Sequence, residues 1–129
     1  MPKIKKTKKQ IVPYDGSTLN ELSMYLHQNS VEHGFWEASL RNVNVPERLA
    51  LIHSEISEAL EEYRNDQHQL HEIYFSGPTA KPEGFGVELI DALIRILDVC
   101  AAYGINVDET IRIKHEYNVG RPYKHGKRC

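Results

Sequence analysis

Apolar residues recur at helical spacing in four stretches of this chain. The first follows a Thr18-x-x-Glu21 capping box, which comes just after a turn at Asp15-Gly16-Ser17. It carries Leu19, Leu22, Tyr25 and Leu26 on one face and ends near Gly34. The second opens at Asn44-Val45-Pro46, with the proline in the first turn, and runs to about Asn65. The third runs from roughly Gly86 to Tyr103 and stops at Gly104. Asp108 is expected to cap the fourth, in which Ile111, Ile113 and Tyr117 supply the apolar contacts before Pro122 ends it. Between the second and third stretches, Gln67 to Glu83 is polar and broken by Gly77-Pro78 and Lys81-Pro82. It reads as a long loop with room for one helical turn at Leu70 to Tyr74. No strand alternation, internal repeat or dinucleotide-binding glycine pattern stands out. The expected fold is all-α: a four-helix bundle with a long polar loop between its second and third helices.

Acidic residues sit in an unusual place on two of these helices. With Glu55 at 0° and 100° per residue, Leu49, Ile52, Ile56, Ala59, Leu60 and Tyr63 fall between about 40° and 140°. Glu55, Glu58 and Glu62 lie on the shoulder of that stripe, while Glu61 points away. In the third helix Leu89, Ala92, Leu93, Ile96 and Cys100 form the apolar arc, with Leu97 at its edge. There Glu88, Asp91 and Arg95 occupy the shoulder. Helices packed through such stripes would bring four carboxylates, Glu55, Glu58, Glu88 and Asp91, toward one cleft. Two like charges about 5 Å apart repel by about 3 kcal/mol at an effective dielectric of 20. Such a cleft calls for protons, basic partners or cations. Hard carboxylate oxygens suit Mg²⁺ or Mn²⁺. Salt bridging is the alternative, since Arg95 follows Asp91 by four residues, with Arg48 and Arg64 nearby. A di-iron site is excluded because no Asp or Glu has a His three residues later.

Composition changes this picture in one respect. The chain has 129 residues, one domain's worth, with 16 Lys and Arg against 18 Asp and Glu. Five lysines fall in residues 1–10, and residues 1–13 read as a basic mobile arm ahead of a helical domain at 14–129. Six basic residues and one acid occupy 112–129. An acidic middle with a basic end suits an anionic ligand that arrives with a metal cation. No apolar run reaches the ~18 residues of a membrane span, and no secretory leader is apparent. Cys100 and Cys129 give no disulfide framework. A cytoplasmic protein is expected. Lys114, Asn118 and Arg121 recur four and three residues apart and can share one side of the last helix. Their donors suit phosphate oxygens. Phe35-Trp36 follow the first helix at once, and Trp36 is either a plug at the helix end or a pocket wall that stacks a base. His68-x-x-His71 reads as solvated loop.

Together these pieces resemble a known family. Glu55-x-x-Glu58, a 29-residue interval and Glu88-x-x-Asp91 are similar to the bipartite acidic motif of the MazG-like, all-α NTP pyrophosphatases. The likeness extends through LIHSEISEALEEYR (51–64), ELIDALIRILDVCAAYGI (88–105) and KHEYNVGRPYKHGK (114–127). The resemblance implies an antiparallel bundle that assembles as a homodimer or homotetramer. It implies hydrolysis of nucleoside triphosphates between the α and β phosphates, with Mg²⁺ (or Mn²⁺) held by Glu55, Glu58, Glu88 and Asp91. Glu55 or Glu58 would orient the attacking water. Lys114, Asn118 and Arg121 would contact phosphate, and Trp36 is the candidate for the base. The acidic interval is at or just past the long end for the family, and the Lys-rich arm lies outside its motif. Two readings without catalysis compete: a nucleic-acid-binding module using the basic arm, which would need no Mg²⁺, and a structural helical oligomer. Nucleic acid is the less expected partner.

Overall fold

Side-chain caps set the starts of three helices. In the computed structural model, which describes residues 18–37 and 44–128, Thr18 opens α1 (Leu19–Glu32) with a complete capping box. Glu21 N donates to Thr18 Oγ1 at 3.2 Å, and Thr18 N donates to Glu21 Oε1 at 2.9 Å. Asn44 accepts from Glu47 N at 3.1 Å to open α2 (Val45–Asn65), which has its proline in the first turn as expected. The third and fourth helices are α3 (Phe85–Ala102) and α4 (Val107–Val119), and a short 3₁₀ turn follows at Tyr123–Gly126. The basic arm and the Asp15-Gly16-Ser17 turn lie outside the described residues. Among the described residues the chain is mostly helical, and no helix is long and apolar enough to cross a membrane.

The cap of α4 departs from expectation. Asn106, not Asp108, accepts from Glu109 N, at 3.1 Å. The helix therefore starts one residue before Asp108, whose carboxylate reaches across to the N-terminus of α1. There it accepts from Leu19 N at 3.0 Å and Asn20 N at 3.2 Å. Asn20 replies with its own side chain, donating to Asn106 Oδ1 and accepting from Val107 N. One carboxylate thus satisfies two orphan N–H groups at the positive end of a neighbouring helix. Beneath this clasp Leu22, Leu97 and Val107 form a small buried core flanked by Leu26 and Cys100.

The connection between α2 and α3 holds a sheet where a loop was expected. Strands β1 (Tyr74–Ser76) and β2 (Lys81–Glu83) pair antiparallel, with Tyr74 opposite Glu83 and Ser76 opposite Lys81. Each strand is three residues long, too short for alternation to register as a pattern. Before β1, a turn at Leu70 and His71 replaces the expected helical turn. His68 stacks on Tyr74 with ring centroids 3.9 Å apart and hydrogen-bonds Glu72, so it braces the hairpin. Tyr74 Oη donates to both carboxylate oxygens of Glu62, at 2.8 and 2.9 Å, and so ties the hairpin to α2.

The main helix contacts are α2 and α1 on α3, while α4 packs chiefly on α1. The face of α2 removed from solvent is Arg48, Ile52, Glu55, Ala59 and Glu62, a single i, i+3/i+4 stripe. It is turned by about 70° from the centre of the apolar arc. The two helices do not pack through their apolar stripes as expected. Ile56, Leu60 and Tyr63 remain 48%, 53% and 59% exposed, and Leu89, Leu93 and Ile96 on α3 are also exposed. Small Ala59 and Ala92, both buried, lie on the facing sides, with the acids among them.

Gly84 closes the hairpin onto α3 at φ 139°, and a Cβ there would stand 2.5 Å from the Glu72 carbonyl oxygen. Gly77, in the β-turn at φ 71°, has nothing within 4 Å of that position. Gly84→Ala is therefore expected to cost about 1–3 kcal/mol and Gly77→Ala about 1 kcal/mol. Denaturant melts giving equal losses would contradict the tight approach at Gly84.

Candidate metal centre

Glu55 sits in the middle of the buried stripe of α2, and Glu88 and Asp91 stand one turn apart at the start of α3. Carboxylate oxygens from these three residues lie within 4.8 Å of one another. Glu55 and Glu88 are only 8% and 9% exposed. Glu58, one turn further along α2, is exposed but stands beside Glu55 closely enough to share a hydrogen bond. The structure thus gathers three of the four expected metal ligands and leaves the fourth at the rim.

Their electrostatics follow from that crowding. Burial raises Glu55, but the Arg95 guanidinium and hydrogen bonding with Glu58 outweigh it and hold the carboxyl below its usual range. Glu58 is pushed up by Glu55, first through their hydrogen bond and then through its charge. Glu88 is driven to about 7 by burial and by the charges of Glu58 and Asp91. Asp91 is also raised by burial and by Glu55, against the opposing charges of Arg95 and Lys81. Three converging carboxylates with one cationic partner are a donor set that fits a hard divalent cation.

The salt-bridging alternative pairs Arg95 with Asp91 at i+4. Arg95 bonds instead across the helix seam, Nε to Glu55 Oε1 at 2.8 Å. A cavity of about 310 Å³ opens beside this pair, lined by Glu55, Asp91 and Arg95 at one end and by Asn29, Ser30, Phe35, Arg48 and Asp98 further along. Asp98 lies outside the two acid pairs of the sequence motif. Its buried carboxylate accepts from Trp36 Nε1 at 3.1 Å and bonds His27 Nδ1 at 2.7 Å. Its signal was present, because Asp98 follows Asp91 by seven residues and so lies on the same face of α3. Lys81 was missed because only the hairpin brings it near Glu58 and Asp91.

The remaining candidates lie elsewhere. Trp36 is 8% exposed, with its ring edge-on to His27 and Tyr103 and one face covered by the Arg48 guanidinium at 3.7 Å. Phe35 is the exposed aromatic residue lining the cavity. Lys114 and Arg121 gather around Tyr117, 5.1 and 5.5 Å from its ring, and Asn118 is half-buried on the same helix. None of Lys114, Asn118 and Arg121 lines the cavity that Glu55 and Asp91 share.

Comparison with protein-family models, with curated proteins and with solved structures found no match.

Glu88 generates a prediction about stability. Its folded pKa of about 7 exceeds the ordinary 4.5, so the folded metal-free chain keeps a proton that the unfolded chain releases. Stability should therefore fall as pH rises from about 4.5 to about 7, by on the order of 2 kcal/mol. Glu88→Gln should flatten this loss, and Mg²⁺ should restore the wild type at pH 7.5. Melts at pH 5 and 7.5 check it. Parallel curves for wild type and variant would show that the acids do not repel.

Proposed function

We propose that the chain is a Mg²⁺-dependent nucleoside triphosphate pyrophosphohydrolase of MazG-like type, converting an NTP or dNTP and water to the monophosphate and pyrophosphate. One observation carries the reading: Glu55, Glu88 and Asp91, drawn from two separated acid pairs, converge within 4.8 Å. That convergence supports the role that the motif's resemblance assigns to them.

In this mechanism Glu55, Glu88 and Asp91 would hold the cation, with Glu58 at the rim. Bound Mg²⁺ or Mn²⁺ would neutralise charge on the phosphate oxygens and lower the pKa of a bound water. Arg95 keeps Glu55 ionised and oriented through its 2.8 Å hydrogen bond. Glu58 combines exposure with a raised pKa, which suits a group that takes a proton from the attacking water. The water oxygen attacks the α-phosphorus, the α–β anhydride bond breaks, and its electron pair leaves on pyrophosphate. Phosphoryl-type transfer asks mainly for positioning and charge stabilisation, which this set of side chains provides without a protein nucleophile. Lys114, Asn118 and Arg121 are assigned phosphate contacts on the resemblance alone.

The same proposal includes a homo-oligomer. Leu49, Ile56, Leu60 and Tyr63 on α2 and Leu89, Leu93 and Ile96 on α3 are all more than a third exposed. No large side chain among the described residues is fully buried. Apolar arcs on neighbouring helices left in water at this density suit burial against a second copy.

Incubating the protein with a panel of NTPs and dNTPs and Mg²⁺ should release pyrophosphate and monophosphate as first products. Orthophosphate with a nucleoside diphosphate would refute the assignment. Glu58→Gln should lower kcat by about a hundredfold or more while the metal-free fold stays at least as stable as wild type. An early-melting variant with full turnover would contradict the role of Glu58. Light scattering should give a multiple of the 14.9 kDa chain mass at micromolar concentration. A fully active monomer would remove the oligomer from the proposal.

A further inference from the structure

Arg48 is half-buried on the inner stripe of α2, and the two groups it is seen to touch are neutral. Its guanidinium lies 3.7 Å over the Trp36 ring, and its Nη2 donates to the Phe35 carbonyl oxygen. Among the described residues it takes part in no ion pair. Stacking on an indole and one carbonyl fix the direction of the fork without neutralising its charge. Asp98, which lines the same cavity, is already committed to Trp36 Nε1 and His27. Arg95 lines that cavity as well. Among the described residues its only hydrogen bond is from Nε to Glu55, which leaves its two Nη groups for another partner. The cavity also carries the carboxylates of Glu55, Asp91 and Asp98, so an anion would enter it together with a cation on the acid cluster and take up the bidentate donors of the two guanidiniums.

We propose that Arg48 and Arg95 form a phosphate-binding site in the cavity beside the carboxylate cluster, and that they grip the polyphosphate chain of the substrate. The identity of the anion rests on the pyrophosphohydrolase reading, whereas the location of the site does not. Arg95 stands where cation and phosphate chain meet, and Arg48 holds the anion further along the cavity. This assignment gives the site on α2 and α3 cationic phosphate ligands of its own, which α4 does not place in that cavity. Phosphate oxygens shared between a hard cation and arginine forks match the general chemistry of polyphosphate recognition.

Calorimetry on the full chain tests this with two probes, Mg²⁺ alone and inorganic tripolyphosphate in saturating Mg²⁺. Arg48→Gln and Arg95→Gln should each weaken tripolyphosphate by about tenfold or more. Mg²⁺ alone should bind Arg48→Gln as it binds wild type, and in Arg95→Gln it should lose less affinity than tripolyphosphate does, since Arg95 also orients Glu55. Arg48→Lys should recover only part of the loss, because an ammonium cannot fork. Unchanged tripolyphosphate affinity in both variants would overturn the site. So would a loss matched by equal weakening of Mg²⁺ binding, which would mean that the arginines act only on the carboxylates. Wild type that fails to bind tripolyphosphate would overturn it too. Should Arg95→Gln not fold, Arg48→Gln decides, because among the described residues Arg48 has no carboxylate partner that its loss would strand. A wild type that binds tripolyphosphate through Arg48 but cleaves no nucleotide would end the hydrolase reading and leave the phosphate site standing.

Discussion

Burying carboxylates in the seam between α2 and α3 is the constraint on which the rest of this structure depends. A helix pair seamed by alanine and leucine would have needed none of the devices found around it. Here Glu55 and Glu88 are almost out of solvent, and like charges at such separations repel by about 3 kcal/mol per pair at moderate screening. Arg95 crosses the seam to hold Glu55 ionised, and Tyr74 crosses to hold Glu62. That second bond, together with burial, pushes the phenol up to about 12. The hairpin in turn carries Lys81 toward Glu58 and Asp91. Structure that looked like connecting loop is therefore part of the charge balance of the acids.

Local signals were legible in the chain and long-range ones were not. The Thr18–Glu21 box, the Asn44 cap with Pro46, and the glycines at 34 and 104 act within a few residues, and the helix boundaries follow them closely. The acid pairs were legible for the same reason, because three-residue spacing is a property of one helix. The face that each helix buries was not. An apolar arc says that a surface avoids water, but not whether the same chain or a second one covers it. On α2 the chain buries the acidic shoulder and leaves Ile56, Leu60 and Tyr63 outside. Asp108 illustrates a related limit. Its residue type suits a cap, yet its partner is the helix that begins 89 residues earlier in sequence. Lys81 and Arg48 gain meaning only from neighbours that no spacing along the chain specifies.

The charged side chains stand on three different supports. The acids and Arg95 stand on the paired helices α2 and α3, where side-chain direction is set by helical geometry and by close packing around Ala59 and Ala92. Lys81 comes from a hairpin held by Tyr74, His68 and the tight passage at Gly84. Lys114 stands apart from the cavity beside the acids, on α4, a helix clasped to α1 by Asp108 and Asn20, and Arg121 follows the end of α4. Motion of α4 and its clasp would therefore leave the acid cluster undisturbed, whereas loss of the hairpin would remove a positive charge from beside it.

Trp36 makes the cavity wall optically visible. It is the chain's single tryptophan, with Arg48 over one face and its Nε1 committed to Asp98. Displacing the guanidinium changes the electric field across the indole, so emission wavelength and intensity report events in the neighbouring cavity without an added fluorophore. Because the ring is buried, iodide and acrylamide reach it poorly while α1 and α3 stay together. Quenching by these solutes therefore follows separation of those two helices, and the emission of one natural residue distinguishes an occupied site from an opened fold.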